Sequence, residues 1–281
     1  MSTRDKKLKK KKRREERLRQ EKHLRRFQSQ GGGMPGHVDD GPRHAEDDSD
    51  DNTPPAVVEE RPASRIAYTP PVAAFLALGR PADPWPDYRR FGLTEEHLPQ
   101  LAMMAVDAGL NESENAPECY APMHAWRALG QLGGPLAAEA LTAALDYCEG
   151  NDFALSDLPE ALGLVGAPAL PGLVKYLADQ EHYLYARGAA ADAIAHVGTQ
   201  RLPLRDECVR LLADQLRQHG TNDSTLNGLL ISYLLDLKAQ EVLPLIAEAF
   251  EAENVDESIA GDLNDVKKEL LSPASRKPEE K

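Results

Sequence analysis

The sequence is poor in cysteine, in aromatic residues and in long apolar runs. Only three of its 281 residues are cysteine, and they form no CxxC motif, which disfavours a disulfide framework and a cysteine-based zinc site. Two of them, Cys148 and Cys208, stand in apolar-periodic stretches and are expected to be buried as small hydrophobic residues. No apolar run approaches the roughly 20 residues of a membrane span, and the first thirty residues are charged rather than apolar. We therefore expect a soluble protein of the reducing cytoplasm.

Motifs for catalysis are also missing. The sequence contains no GxSxG, HExxH or GxxxxGK[ST] pattern, so neither a nucleophile elbow nor a zinc-protease site or P-loop is indicated. None of the eight histidines is followed by glutamate. We expect no enzyme activity, no cofactor and no metal site.

Charge divides the chain into parts. The formal net charge is -13, yet residues 1–30 carry +10, residues 31–60 carry -8 and the remainder carries -15. This pattern predicts a basic arm over 1–30, a marginal helix or disordered. It also predicts a disordered acidic linker with Gly and Pro over 31–68, a folded body over 69–272 and a disordered tail over 273–281.

The basic arm has the composition of a polyanion-binding segment. No Tyr or Trp interleaves its charges, so base stacking and sequence-specific reading of nucleic acid are not supported. Nonspecific binding of nucleic acid through phosphate contacts and a merely solubilising role both remain open. The candidate polyanion-binding residues are Lys9, Lys10, Lys11, Lys12, Arg13 and Arg14.

The folded body repeats itself. Four segments of similar pattern occupy residues 125–135, 158–168, 190–200 and 230–240, and their anchor positions are 33, 32 and 40 residues apart. These anchors are Leu132, Val165, Val197 and Leu237. Each anchor is predicted to end a first helix, and Gly133, Gly166 and Gly198 are predicted to supply a left-handed turn before a second apolar helix. Because one helical pair cannot bury its own apolar face, the pairs must stack, and the chain is predicted to be all-α.

The pattern ALGxxG-P at this spacing resembles HEAT-like repeats of the phycobilisome-lyase type. The segments FLALGRPADPWPDYRRFGLTEEHLPQL and APMHAWRALGQLG, with STLNGLLISYLLDLKA and SIAGDLNDVKKEL, resemble a group of uncharacterised bacterial HEAT-repeat proteins over residues 70–271. The resemblance implies an α-solenoid of about four HEAT-like helical pairs with flanking helices, preceded by the disordered charged arm. It implies protein interaction as the general role of such repeats, and a lyase-type activity for some relatives.

One column of the alignment is polar in all four repeats. Five residues before the anchors stand Arg127, Glu160, Asp192 and Ser232. Since the helices of stacked repeats lie about 8–10 Å apart, these side chains are expected to follow one face. They are either a solvated face with weak ion pairs or a stripe that binds a partner.

Aromatic residues provide further candidates for partner binding. His124 and Trp126 lie in the first repeat, where Trp126 is either packed at the edge of the core or a binding hot spot. Tyr183 and Tyr185, beside Arg187 at the start of the third repeat, are either helix-entry packing or a shelf for a ligand.

The sequence thus favours a noncatalytic scaffold or adaptor that binds an unidentified protein partner through an acidic α-solenoid surface. A nucleic-acid- or ribosome-associated factor that uses the basic arm is the first alternative, and a lyase-type enzyme or accessory protein is the second.

Overall fold

The computed structural model describes residues 66–111 and 116–272, which belong to one compact unit within Val58–Lys281. These residues form helices joined by short connections, with no β-strand among them, as the sequence predicts. The α-helices are α1 (Leu98–Ala105), α2 (Ala108–Asn111), α3 (Ala121–Leu132), α4 (Pro135–Ala144), α5 (Asp152–Val165), α6 (Leu170–Ala178), α7 (Leu184–Gln200), α8 (Arg205–Leu216), α9 (Ser224–Asp236), α10 (Leu243–Glu251), α11 (Glu257–Ala260) and α12 (Leu263–Leu271). Short 3₁₀ helices cover Val72–Ala77, Tyr88–Phe91, Glu95–His97, Pro117–Tyr120, Leu145–Cys148, Ala167–Ala169, Leu202–Leu204 and Gln240–Val242.

The helices pack in two successions. The first helices of the predicted pairs contact one another in chain order, α3 against α5, α5 against α7 and α7 against α9. The second helices do the same, α4 against α6, α6 against α8 and α8 against α10. The residues three positions before the anchors lie between these two successions, where each is fully buried: Leu129, Leu162, Ile194 and Leu234.

Three of the four predicted helix ends have a residue with positive φ, although the ψ angles of Gly133 and Gly166, -165° and -138°, are not those of a left-handed helical turn. Gly133 and Gly166 follow α3 and α5 with φ of 75° and 80°. At the fourth position the sequence has Lys238 instead of glycine, and this residue also adopts a positive φ, 52°. Its backbone N–H donates to the carbonyl of Leu235, and that of Ala239 donates to the carbonyl of Leu234, so the last turn of α9 is closed as in a glycine-ended helix.

The predicted turn at Gly198 is wrong. Helix α7 continues through this glycine to Gln200, and Arg201 ends it with a negative φ of -129°. In the first two repeats a proline follows the glycine by two residues, which stops the helix, whereas Pro203 follows Gly198 by five. Gly198 serves close packing instead, because a Cβ there would lie 2.7 Å from Leu237 Cδ2.

The 40-residue interval is longer mainly because α7 continues past its anchor to Gln200 and because α8 has 12 residues, against 10 in α4 and 9 in α6. Buried amides hold the turn over 217–223 that follows α8. Asn222 Nδ2 donates to the carbonyl of Gln215 at 3.0 Å and to Asn227 Oδ1 at 2.9 Å. Asn227 Nδ2 in turn donates to the carbonyls of His219 and Asn254, at 3.0 and 2.7 Å. Each carbonyl would cost free energy if buried without a donor, so these bonds let the turn pack against the following loop.

Glycines inside the first helices allow neighbouring helices to approach closely. A Cβ on Gly130 of α3 would lie 2.8 Å from the Cα and 2.9 Å from the carbonyl oxygen of Ala161 in α5. A Cβ on Gly163 of α5 would lie 2.6 Å from the Cβ of His196 in α7. The spacing of the first helices therefore depends on these two positions.

We expect Gly130→Ala to destabilise the protein by about 1–3 kcal/mol, because the added methyl group meets backbone atoms that cannot move aside without separating α3 from α5. Urea unfolding monitored by circular dichroism measures the change. Gly172→Ala in α6 is the matched control, since its Cβ meets only the Thr142 side chain, at 3.2 Å. Equal losses of stability in the two variants would contradict the close-packing role of Gly130.

Candidate functional site

The predicted polar column lies on the first helices, and we call this surface the first-helix face. It comprises the side chains five positions before the anchors (Arg127, Glu160, Asp192 and Ser232) and those one position before them (Gln131, Leu164, His196 and Asp236). The structure places these eight residues in two different environments. Those on α3 are covered by the chain itself, whereas those on α5, α7 and α9 are exposed or half-buried.

Arg127 is buried and engaged within the chain, so at this position the column is neither a solvated face nor part of a partner-binding stripe. Its side chain is 7% exposed and forms a bidentate ion pair with Asp157 of α5, with Nε and Nη2 at 2.7 and 3.1 Å from the two carboxylate oxygens. Its Nη1 donates to the carbonyl of Ala82 at 2.7 Å, and the guanidinium lies 4.7 Å from the centre of the Trp85 ring. One side chain thus holds α3, α5 and the irregular segment 79–88 together.

His124 and Gln131 bind the same segment from the same side of α3. His124 Nε2 lies 2.8 Å from the carbonyl oxygen of Gly79, which can only accept, so Nε2 donates and Nδ1 accepts from the Tyr88 hydroxyl at 2.6 Å. Gln131 Nε2 donates to the carbonyl of Pro86 at 2.9 Å, and its Oε1 accepts from the Tyr88 N–H at 2.8 Å. Burial lowers the pKa of His124, in keeping with this neutral tautomer.

On α3 the first-helix face presents hydrogen-bond donors, whereas on α5, α7 and α9 it presents mainly carboxylates. Glu160 and Asp236 are exposed, and the Asp192 side chain is 29% exposed. His196 Nε2 lies 3.6 Å from an Asp192 carboxylate oxygen, one helical turn away on α7. Along α5, α7 and α9 the face is therefore acidic, with one imidazole among three carboxylates.

The surroundings of these three carboxylates raise their pKa values. Desolvation, only partly offset by His196, raises the pKa of Asp192 to about 6. The pKa of Glu160 is raised by the same cause, with a contribution from Asp157, and that of Asp236 by desolvation and Glu269. Desolvation also raises the pKa of the Tyr233 hydroxyl, which Asp192 and Asp236 raise further. A cation placed on this face would relieve the desolvation and repulsion of all three carboxylates.

The remaining candidates from the sequence are mostly packed inside the protein. Trp126 is fully buried, and its Nε1 donates to the carbonyl of Ala105 at 2.9 Å, so it is part of the core and presents no exposed surface. Arg187 is 6% exposed and donates from Nε to the carbonyl of Leu177, at the end of α6. Tyr183 and Tyr185 are half-buried at the start of α7, with ring centres 5.6 Å apart.

A second polar cluster was not singled out from the sequence. It lines a groove of about 450 Å³ between α4 and α6, where the Tyr176 ring stacks on His182 with 3.7 Å between ring centres. The Tyr176 hydroxyl donates to Asp146 at 2.7 Å, and His182 Nδ1 lies 3.4 Å from the same carboxylate. These three residues lie in three different elements, and no motif or period in the sequence connects them. They join the end of α4, α6 and the loop before α7.

The buried cysteines are confirmed as small hydrophobic residues. Cys148 and Cys208 are 1% and 0% exposed, and burial raises their pKa values to about 12 and about 11. Over residues 66–111 and 116–272, no group of three His, Cys, Asp or Glu side chains converges as a metal site. The candidate polyanion-binding residues Lys9–Lys12, Arg13 and Arg14 lie outside the described part of the chain, as do the predicted arm, almost all of the linker and the tail.

Among the described residues, no single helix is long and apolar enough to cross a membrane. The pair Asp152–Val165 and Ala167–Ala178 reaches that length and composition only together, and it is bent by 114°.

No family model, no curated protein and no solved structure matches this chain.

We expect Arg127→Ala to cost about 3–5 kcal/mol in the free energy of unfolding, because it leaves the Asp157 carboxylate buried without its cation. Arg210→Ala is the control, since Arg210 pairs with Asp214 on the surface of α8 and its loss should cost less than about 1 kcal/mol. Urea unfolding at pH 7 measures both. The double variant Arg127→Met with Asp157→Leu removes both charges and should be less destabilised than Arg127→Ala. If the double variant is as unstable as Arg127→Ala, an uncompensated charge on Asp157 is not the cause of the loss.

Asp192→Asn should change stability in a pH-dependent way. The pKa of Asp192 in the folded protein is about 6, against 3.8 for an ordinary Asp, so between these values the folded state binds more protons than the unfolded state. The free energy of unfolding therefore falls as pH rises through this window. The variant lacks this pH-dependent loss. The difference in the free energy of unfolding between the variant and the wild type should therefore be about 1–2 kcal/mol more favourable to the variant at pH 7.5 than at pH 4. This figure is reduced because the Asp192 side chain is partly exposed. A difference independent of pH in urea unfolding would refute the shifted carboxyl.

Proposed function

We propose that this protein is a noncatalytic protein-interaction scaffold, built as an α-solenoid of about four HEAT-like helical pairs, that binds a partner on the first-helix face. The chain-order packing of first helices and of second helices supports the stacked-pair architecture. The positive φ angles at Gly133, Gly166 and Lys238 support the same register of repeats.

The observation that carries this proposal is the way α3 binds segment 79–88. Three side chains on one side of the helix, His124, Arg127 and Gln131, donate to three backbone carbonyls of an irregular segment. These contacts to the backbone fix the path of the segment, and its Trp85 and Tyr88 side chains add contacts with Arg127 and His124. The first-helix face thus binds an irregular segment of the same chain on α3. The part of this face on α5, α7 and α9 is accessible.

The environment of the polar groups favours binding over catalysis. The most buried of them, His124, Arg127 and Asp157, are engaged with the chain itself and are not free to contact a substrate. The accessible ones are carboxylates spread over three helices. Their negative charge also disfavours phosphate groups at this face and so favours a protein partner over nucleic acid.

An affinity-capture experiment with charge-reversed variants tests this function. Immobilised full-length protein, exposed to a lysate of the cells that produce it, is compared with the variant Glu160→Lys with Asp236→Lys. The control, Glu207→Lys with Glu248→Lys, makes the same change of charge at exposed positions of α8 and α10. We expect a partner that the wild type and the control retain and the face variant loses, and that binds again when both purified proteins are mixed. Equal capture by the two folded variants would overturn the assignment to this face.

A further inference from the structure

We infer that Asn227 and Gly228 form a site of spontaneous deamidation, which the folded chain protects and which makes opening of α9 irreversible once it reacts. These two residues are the one Asn-Gly pair in the sequence. In an unfolded chain an Asn-Gly pair loses ammonia faster than other asparagine sites, because glycine has no side chain to hinder attack of its backbone nitrogen on the preceding amide. This inference is independent of the proposed function.

The fold requires glycine at the second position of the pair. A Cβ on Gly228 would lie 2.9 Å from the carbonyl oxygen of Asp256 and 3.2 Å from Ile259 Cβ. A larger residue would therefore push α9 away from α11 and from the residue that precedes α11. The residue that makes the pair reactive is thus fixed by close packing.

The fold also requires an amide at the first position of the pair. Asn227 is fully buried, and its side chain uses both of its donor hydrogens and its acceptor. Its Nδ2 donates to the carbonyls of His219 and Asn254 at 3.0 and 2.7 Å, and its Oδ1 accepts from Asn222 Nδ2 at 2.9 Å. Packing and hydrogen bonding together therefore retain a dipeptide that is prone to deamidation.

The reaction needs two groups that are engaged in the folded chain. The backbone nitrogen of Gly228 attacks Cγ of Asn227, so that a new C–N bond closes a succinimide ring and Nδ2 leaves as ammonia with the proton of the Gly228 N–H. Water then opens the ring at either carbonyl and yields aspartate or isoaspartate. In the interior of α9 this N–H donates to the carbonyl four residues earlier, and Nδ2 donates to two carbonyls. The attack therefore requires α9 to unwind locally.

The position of the pair in the stack favours such unwinding. Helix α9 is the last of the four first helices, and after α10 the described chain adds only α11, of four residues, and α12, of nine. Each repeat of a stack contacts only its neighbours, and helices this short are not stable by themselves. Opening at this end therefore costs less free energy than opening between α5 and α7.

Aspartate at position 227 cannot restore the contacts of the amide. An ionised carboxylate has no hydrogen to donate, so it would place negative charge against the carbonyl oxygens of His219 and Asn254. Isoaspartate adds a carbon atom to the main chain and so shifts the hydrogen-bond register of α9. Deamidation of the opened chain thus shifts the protein permanently toward the unfolded state.

Mass spectrometry of the full chain tests the site. The protein is incubated at pH 8.5, either folded or in concentrated urea, and then digested with trypsin, which releases residues 218–238 as one peptide. Fragment ions distinguish Asn227 from Asn222 in this peptide. We expect modification at Asn227 in urea, and a rate at least tenfold lower in the folded protein. The ratio of the two rates measures the fraction of molecules in which α9 is open.

Refolding connects the modification with irreversibility. Samples kept in urea for increasing times are diluted to the highest urea concentration at which the unmodified protein is still folded, and circular dichroism measures the folded fraction. This fraction should fall in parallel with the fraction modified at Asn227.

A variant reproduces one product directly. Asn227→Asp should lower the equilibrium constant for folding at least tenfold in urea unfolding, and a variant chain that does not fold at all would agree with this expectation. Asn264→Asp is the matched control, because it makes the same change at an exposed residue of α12, and it should alter the constant less than threefold.

Four results would overturn the inference: no modification of Asn227 in urea, equal rates in the folded and the unfolded protein, a folded fraction that does not follow the modification, or an Asn227→Asp variant as stable as the control. None of them bears on binding at the first-helix face, so the scaffold function is tested separately.

Discussion

The bidentate ion pair between Arg127 and Asp157 determines how the amino-terminal part of the described chain is arranged. Its two side chains are 7% and 8% exposed, so both depend on each other for charge compensation. Because the same guanidinium also binds the carbonyl of Ala82 and faces the Trp85 ring, it sets the position of α3 against α5 and the path of segment 79–88. The border between the covered and the open part of the first-helix face is a consequence of this arrangement.

Close approach of the first helices is the second condition for a continuous face. Gly130 and Gly163 bring α3, α5 and α7 together so closely that a methyl group would not fit. Short distances between helices place Glu160, Asp192 and Asp236 within electrostatic reach of their neighbours on other helices, and partial burial then raises their pKa values. Close packing of α5 against α7 at Gly163 thus brings His196 next to α5, where it acts on the Glu160 carboxyl.

Much of the fold could be predicted because it depends on local patterns. The residues three positions before the anchors are apolar in all four repeats and fully buried, and the glycine-proline spacing identified the ends of α3 and α5. A proline two residues after the glycine marks these helix ends. Gly198 lacks such a proline, because Pro203 follows it by five residues, and α7 therefore continues through Gly198. At Lys238 the alignment pointed to a turn although lysine itself gives no such signal.

The sequence by itself determined that the body is helical and where its apolar repeats lie, because helical periodicity is a property of neighbours in the chain. Only the tertiary structure decided which members of the polar column are accessible. Arg127 and Glu160 occupy equivalent positions, yet one is buried and the other exposed. The difference arises from Asp157, 30 residues later, and Ala82, 45 residues earlier, which meet at Arg127. Contacts between such distant residues have no period, and the free energy of burying a charge depends on whether its partner reaches it in the folded chain.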